Sequence, residues 1–270
     1  MLVARPPWLR ARWKKGERLK LYEALGIGPG EIVAFAGAGG KSGAIVELCR
    51  ELSAAGMRTL AVPTTKMFVS EAEKVGPLVT SGDPGELRSL VSEALPEKGR
   101  GGGTLVAGSG RLSKGRVSGV EPGQVPGLAE LADVTLVEAD GARRRPIKGT
   151  AAHEPAMPDG VTLAVAVGGS WALGRPLDED SVHRPELFSE LTGILPGHSI
   201  TAESFALALA KGSLGKATDG TRRAALLTGV EPGPGMSEAA IIARELWRLG
   251  VRQVVLTSLP FQSPPMIWSA

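Results

Sequence analysis

A short glycine-rich segment is the part of this sequence whose residue types most clearly suggest chemistry. It combines three glycines with an alanine, a lysine and a serine: Gly37, Ala38, Gly39, Gly40, Lys41 and Ser42. Glycines let the backbone direct successive amides toward an anion, while the lysine adds a charge and the serine a ligand for Mg²⁺. The pattern G-x-x-x-x-G-K-[ST] is matched except at its first glycine, where Phe35 stands. The segment predicts a loop that binds the phosphates of ATP or GTP together with Mg²⁺.

The alternative for this segment is an ordinary glycine-rich turn in which Lys41 only contacts solvent. In both interpretations the lysine is expected on the surface of the loop, without packing in the core. Its replacement by alanine is therefore expected to leave the fold intact.

Two carboxylates follow an apolar segment at residues 134–137, namely Glu138 and Asp140. Such a segment is typical of a buried strand, and the carboxyl ends of parallel strands line the ligand crevice of an α/β sheet. One carboxylate is expected to hold Mg²⁺, directly or through water, and the other to orient an attacking water. With Lys41 they form the predicted catalytic group. The competing interpretation is a strand followed by a simple Asp-Gly turn.

Two further polar segments are candidates for the same site. One ends the predicted second strand and consists of Thr64, Thr65 and Lys66. Its hydroxyls either sense the γ-phosphate and ligate Mg²⁺ or are a polar strand end. The other is a run of arginines, Arg143 to Arg145, which is either a clamp for phosphate or an anionic substrate or a solvated surface run.

The elements that position these residues follow from hydrophobic periodicity. Strands are predicted over 31–36, 58–63, 104–107, 134–137, 161–167, 224–227 and 253–256. Helices are predicted over 42–55, 84–95, 125–131, 185–191, 202–210 and 237–249. Residues 97–124 are rich in glycine and charge and predict an excursion containing a hairpin. The alternation indicates an α/β fold of three layers with a mostly parallel sheet, beginning with a P-loop NTPase-like βαβ unit.

Composition limits the other possibilities. The 270 residues contain a single cysteine, Cys49, which excludes an internal disulfide and favours a reducing compartment, so the cytoplasm is expected. Residues 1–20 hold seven basic side chains against one acidic one, so the net charge of +3 belongs to the amino-terminal end. We expect a basic extension at 1–18 and a single elaborated P-loop α/β domain at 19–270. The 4% aromatic content argues against a nucleic-acid partner, and no apolar run predicts a membrane span.

Together these motifs resemble the YqeC family. The resemblance rests on residues 36–42, 63–66, 137–142 and 146–148, with His153-Glu154-Pro155 and residues 182–186, in that order along the chain. That family is described as a putative accessory protein of selenium-dependent molybdenum hydroxylases. The resemblance implies that His153, Glu154, His183 and Arg184 are site residues for a substrate or cargo, a role that their spacing alone does not give them.

The resulting expectation is a Mg²⁺-dependent nucleotide-binding protein, a slow NTPase that serves the maturation of a selenium- and molybdenum-containing hydroxylase. Its partners would be the nucleotide and either the hydroxylase or a precursor of its cofactor. Two alternatives stay open. One is a small-molecule kinase or nucleotidyl-transferring enzyme of cofactor biosynthesis, in which Arg143, His153 and His183 line an acceptor pocket. The other is a non-catalytic scaffold that binds nucleotide as a structural ligand.

Overall fold

The computed structural model describes residues 19–231, 234–261 and 263–268, so the basic extension predicted at 1–18 lies outside the described residues. Fourteen strands are present in these ranges. They are β1 (Glu31–Gly37), β2 (Arg58–Pro63), β3 (Met67–Phe68), β4 (Leu78–Thr80), β5 (Gly103–Gly108), β6 (Gly110–Leu112), β7 (Arg116–Ser118), β8 (Val134–Glu138), β9 (Ile147–Lys148), β10 (Leu163–Gly169), β11 (Val182–His183), β12 (Arg222–Thr228), β13 (Gln253–Leu256) and β14 (Met266–Trp268).

Nine of the strands form one sheet in the order β14-β13-β12-β10-β1-β8-β2-β5-β4. All neighbours in this sheet are parallel except β13 and β14. Strand β1 is central, with β8 on one side and β10 on the other. The carboxyl ends of β1, β2, β8, β10 and β12 therefore share one edge of the sheet. The mostly parallel α/β fold predicted from the sequence is confirmed.

Helices cover both faces of this sheet. They are α1 (Leu21–Leu25), α2 (Lys41–Ala54), α3 (Val69–Val75), α4 (Pro84–Ala94), α5 (Val125–Ala129), α6 (Pro185–Thr192), α7 (Ala202–Leu207) and α8 (Pro234–Arg248). Helices α1 and α2 pack on the face that carries Phe35 and Val165. The other face is covered in two halves, by α4 and α5 on one side and by α6, α7 and α8 on the other.

Helix α2 shows why the local sequence folds as it does. Its apolar positions recur at helical spacing, and Ile45, Leu48, Cys49 and Leu52 are all buried against the sheet. Burial raises the pKa of the Cys49 thiol to about 12. The cysteine is therefore a small apolar core residue, as its place in the pattern predicts.

The structure departs from the helix predicted over 202–210, confirms the predicted hairpin and adds two small sheets. The helix predicted over 202–210 ends as α-helix at Leu207 and continues as a π-helical turn, Ala208–Ser213, which brings the buried Ser213 close to Gly37. The excursion at 97–124 contains β5 and then a hairpin, β6 and β7, which pairs with β3 in a separate three-stranded sheet. Strands β9 and β11 form a third, two-stranded sheet.

None of the helices within the described ranges combines the length and the apolar character needed to cross a bilayer.

Candidate phosphate-binding site

The glycine-rich segment forms the turn between β1 and α2, with Gly40 preceding the first residue of the helix. Gly39 has a φ of 72°, in the left-handed region. A Cβ at this position would lie 2.4 Å from the Gly169 amide nitrogen and 2.6 Å from the Pro146 carbonyl oxygen. Only glycine fits such a close backbone approach. Gly37 is the last residue of β1 and the turn follows it, whereas Phe35, at the position of the usual first glycine, lies within β1 and is wholly buried.

Lys41 is the first residue of α2 and its side chain is folded inward. Only 4% of the residue is exposed, and its ammonium group lies 3.0 Å from Asp140 Oδ1. The ammonium also donates a hydrogen bond to the Gly37 carbonyl oxygen. The expectation that Lys41 contacts solvent is therefore wrong, because a buried carboxylate and a loop carbonyl hold it inside the turn. Its removal would leave a buried charge with one partner fewer.

Ser42 and Glu138 form the second pair of the site. The Ser42 hydroxyl lies 3.3 Å from both carboxylate oxygens of Glu138, and this carboxylate is only partly exposed. Desolvation raises the pKa of Glu138 to about 6; Asp140 and Glu71 act in the same direction, whereas Lys41 and Ser42 oppose the shift. A hydroxyl and a carboxylate at the end of a phosphate-binding loop are oxygen donors of the kind that Mg²⁺ prefers.

Glu138→Gln is expected to stabilise the nucleotide-free protein at pH 7 by about 1 kcal/mol, a value reduced for partial exposure of the group. In the parent, the raised pKa means that stability falls as the pH rises from 4.5, the ordinary value for glutamate, through about 6. Glutamine never ionises, so the variant escapes this loss, and the two proteins should be equally stable below pH 4.5. Urea unfolding of parent and variant at pH 7 and at a pH below 4.5 measures the difference in stability. A variant less stable than the parent at pH 7 would contradict the expectation.

Asp140 occupies a different position from Glu138. It is wholly buried, and its two oxygens accept hydrogen bonds from the Gly37 amide at 3.1 and 2.9 Å. The same oxygens are paired with the ammonium groups of Lys41 and Lys148, each at 3.0 Å. Because both oxygens are engaged in these contacts, Asp140 does not fit the roles expected for it, namely a direct ligand of Mg²⁺ or the carboxylate that orients a water. Asp140 instead fixes the start of the loop and restrains Lys41.

Lys148 extends this arrangement into a chain of buried charges. Its ammonium group lies 3.0 Å from Asp140 Oδ2, 2.6 Å from Glu154 Oε2 and 2.8 Å from the Gly141 carbonyl oxygen. Glu154 is in turn paired with Arg184, whose guanidinium is partly exposed. We call this series the charge chain; its members are Lys41, Asp140, Lys148, Glu154 and Arg184. The charge chain links the glycine-rich loop to the surface between β11 and α6.

The sequence singled out Lys148 only as part of the Pro146-Ile147-Lys148 motif and gave it no role. The available signal was a lysine eight residues after an acidic turn, within a short apolar segment. Desolvation disfavours the charged form of Glu154, but Arg184 and Lys148 outweigh it and hold the pKa of this carboxyl at about 2. The buried charges of the chain therefore depend on one another.

The surface end of the charge chain is basic. His183 pairs with Lys148 in the β9–β11 ladder and is half-buried. Its pKa is lowered to about 4, by desolvation first and then by the charges of Arg184, Lys148 and Arg143, so the imidazole is neutral at pH 7. Arg143 and Arg184 both have a left-handed backbone, with φ of 46° and 59°, which side-chain-bearing residues rarely adopt. His153 is exposed on the loop beside Glu154.

The segment after β2 lies beside Glu138. The Thr64 amide donates to the Glu138 carbonyl oxygen at 3.0 Å, and the Thr64 hydroxyl donates to the Ala156 carbonyl oxygen at 2.9 Å. This hydroxyl is thus used to join two loops. Thr65 is partly exposed and Lys66 is exposed. A ligand could therefore contact the side chains of Thr65 and Lys66, whereas contact with the Thr64 hydroxyl would break its bond to Ala156.

The arrangement can therefore bind an anion on the loop and a divalent cation beside it. Within residues 19–231, 234–261 and 263–268, no three His, Cys, Asp or Glu side chains are grouped as a metal site. If only Ser42 and Glu138 bound a cation, most of its coordination positions would stay open. Such a pair suits Mg²⁺, which usually keeps several waters and takes further oxygens from a substrate phosphate.

Comparison with known proteins places the chain in a family. The family model described as "YqeC protein" matches residues 33–186, a range that includes the loop and the whole charge chain. A curated relative, "Uncharacterized protein YqeC" of Escherichia coli (strain K12), is 32% identical over 169 residues, which cover 61% of this chain and 62% of the relative. The matched part thus spans less than two thirds of that relative's length.

A solved structure, that of chloroplast FtsY from Physcomitrella patens, matches with a TM-score of 0.40 and 12% identity, covering 94% of this chain and 67% of that one. The fold assignment does not depend on this match, since the strand order and the parallel ladders establish it directly. The family model, by contrast, covers more than half of the chain. This chain belongs to the YqeC family.

Proposed function

We propose that this chain is a Mg²⁺-dependent nucleotide-binding protein that hydrolyses ATP or GTP slowly. One observation carries the proposal: a glycine-rich turn leads into α2 with Lys41 and Ser42 as its first residues, and Ser42 lies 3.3 Å from the Glu138 carboxylate. Amides at a helix amino terminus and a lysine are suited to phosphate oxygens. Bound Mg²⁺ would neutralise charge on the β- and γ-phosphates.

The residues have separate roles in this proposal. The amides of Gly39 and Gly40 surround the phosphates, and Lys41 pairs with them. The amides of Gly37 and Ala38 already donate to Asp140 and to the Val167 carbonyl oxygen, so they take no part in this role. Ser42 and Glu138 hold the cation. Lys41 must first leave the Gly37 carbonyl oxygen and Asp140, which stays paired with Lys148 and so does not become an isolated buried charge. Thr65 and Lys66 contact the γ-phosphate side of the ligand.

Slow hydrolysis follows from the use of the two carboxylates. Asp140 is held by two lysines and the Gly37 amide, and Glu138 is assigned to the cation. Neither carboxylate is then free to orient an attacking water, a function that supplies much of the rate in fast phosphoryl-transfer enzymes.

Glu138→Gln is expected to lower Mg²⁺-dependent phosphate release about 10-fold or more, because the amide keeps the shape of the side chain and removes the charge that holds the cation. Binding of ATP and GTP should persist in the variant. Glu47→Gln is the matched control, since Glu47 lies on α2 but is paired with Arg50, away from the loop. Phosphate release is measured with purified protein, saturating nucleotide and varied Mg²⁺. Equal rates in parent and variant would remove Glu138 from the cation site.

The biological role that we propose is an accessory function in the maturation of a selenium- and molybdenum-containing hydroxylase. Family membership supports this assignment, and the basic surface formed by Arg143 and Arg184, beside the neutral His183, is suited to an anionic cofactor precursor or cargo. Deletion of the gene should leave the hydroxylase polypeptide present but lower its specific activity and its metal content. Unchanged activity and metal content in the deletion strain would contradict this role.

The same basic surface favours a second candidate, a small-molecule kinase or nucleotidyl-transferring enzyme. Arg143, His183 and Arg184 lie at the surface end of the charge chain, which begins at the phosphate-binding lysine. A product assay separates the candidates. Free phosphate without an acceptor indicates an NTPase, whereas a phosphorylated or nucleotidylated acceptor indicates a transferase. No product at saturating nucleotide and Mg²⁺, with the partner present, indicates a scaffold.

A further inference from the structure

Trp171 is an exposed aromatic side chain at the edge of the sheet that carries the phosphate-binding loop. It lies in the short 3₁₀ turn Ser170–Ala172, directly after β10, and 40% of the residue is exposed. Tryptophan side chains are on average highly buried. An exposed tryptophan beside a candidate ligand site offers the ligand an apolar contact surface.

The ring of Trp171 lies against the backbone of two glycines. A Cβ at Gly169 would lie 2.6 Å from the six-membered ring, and a Cβ at Gly229 would lie 2.5 Å from it. Gly229 also has a φ of 68°, so both space and backbone conformation require glycine there. The ring thus rests on the backbone at the ends of β10 and β12, with its position set by these strands.

The ends of β10 and β12, which lie beside the ring, also contact the glycine-rich loop. The Gly169 amide nitrogen would be 2.4 Å from a Cβ at Gly39, and the Thr228 hydroxyl donates to the Gly39 carbonyl oxygen. Gly39 therefore contacts Gly169, one of the two glycines beside the ring. It also contacts Thr228, which directly precedes Gly229, the second of these glycines. Glu138 lies on the opposite side of β1, at the end of β8. The edge of the sheet thus presents, in order, the cation pair, the phosphate loop and the aromatic ring.

This order matches the parts of a nucleoside triphosphate, and we propose that Trp171 is the platform on which the base stacks. The inference rests on the proposed function, because it assigns the base end of the same ligand. Aromatic stacking accepts every base, since each has a π-face. The platform therefore serves adenine and guanine alike, and the parent should bind ATP and GTP with affinities of the same order.

The test compares ligands with and without a base by calorimetric titration in the presence of Mg²⁺. Trp171→Leu is expected to weaken ATP and GTP binding about 10-fold or more while leaving the affinity for inorganic tripolyphosphate unchanged. Trp171→Phe keeps a π-face and should restore most of the loss. Trp247→Phe is the matched control, because Trp247 packs on Trp268 of the edge strand and on Arg252 before β13.

Each outcome decides the proposal. A selective loss of ATP and GTP affinity that phenylalanine restores supports the platform. Unchanged ATP affinity in Trp171→Leu, or an equal loss for tripolyphosphate, would overturn it while leaving nucleotide binding itself in place. If the parent binds neither ATP nor tripolyphosphate, the proposed function fails and the platform fails with it.

Discussion

Replacing Lys148 with methionine is expected to lower the free energy of unfolding by about 3–5 kcal/mol, the usual cost of removing one partner from a buried ion pair. Lys148 is 1% exposed and its ammonium group pairs with both Asp140 and Glu154. Methionine fills similar volume but supplies no charge. Asp140 would keep Lys41 and Glu154 would keep Arg184, so the charge chain would be divided into two shorter pairs. Urea unfolding at pH 7 measures the loss.

A double-mutant cycle distinguishes lost charge pairing from general damage to the core. Adding Glu154→Gln to Lys148→Met should cost less than the sum of the two single changes, because the second substitution removes a carboxylate that the first has left underpaired. Lys216→Met, at an exposed lysine, should change stability by less than about 0.5 kcal/mol. Strict additivity, or a Lys148 variant as stable as the parent, would contradict the described pairing.

Lys41→Met is expected to weaken ATP and GTP binding about 100-fold, since the lysine supplies charge-assisted hydrogen bonds to the phosphates. Stability should fall less than in the Lys148 variant, because Lys41 pairs with Asp140 alone, whereas Lys148 pairs with both Asp140 and Glu154. The measurement is a calorimetric titration of folded parent and variant with each nucleotide and Mg²⁺. Lys74→Met, at an exposed lysine of α3, controls for the loss of one positive charge. Equal affinities in Lys41→Met and parent would reject the phosphate-loop assignment.

Much of the fold could be predicted because its main elements have strong local signals. Strands β1, β2 and β8 are short apolar segments, and α2 has an apolar stripe at helical spacing, so their bounds match the predictions within two residues. The three glycines and the Lys-Ser pair mark the turn between β1 and α2. The two-residue strands β3, β9 and β11 carry no such pattern, since they form only where tertiary packing brings their partners together.

The candidate site was less predictable because its electrostatics depend on contacts distant in sequence. The inward position of Lys41 follows from Asp140, which lies about a hundred residues later in the chain. The sequence predicts that the carboxylates at the end of β8 lie at the same edge as Lys41, but not that Asp140 pairs directly with the lysine inside the turn. Asp140 and Glu138 are two residues apart, yet one is buried among ammonium groups and the other borders Ser42. The position of Trp171 likewise depends on Gly229, which follows β12 and lies far along the chain.

A crystal structure of the protein with a non-hydrolysable ATP analogue and Mg²⁺ tests nucleotide binding at this loop most directly. We expect the phosphates to accept hydrogen bonds from the amides of residues 39–42, with the cation between Ser42 and Glu138. Lys41 should have left the Gly37 carbonyl oxygen and Asp140 to contact the phosphates. A nucleotide bound elsewhere on the molecule, with the Lys41 ammonium still 3.0 Å from Asp140 Oδ1, would contradict the account.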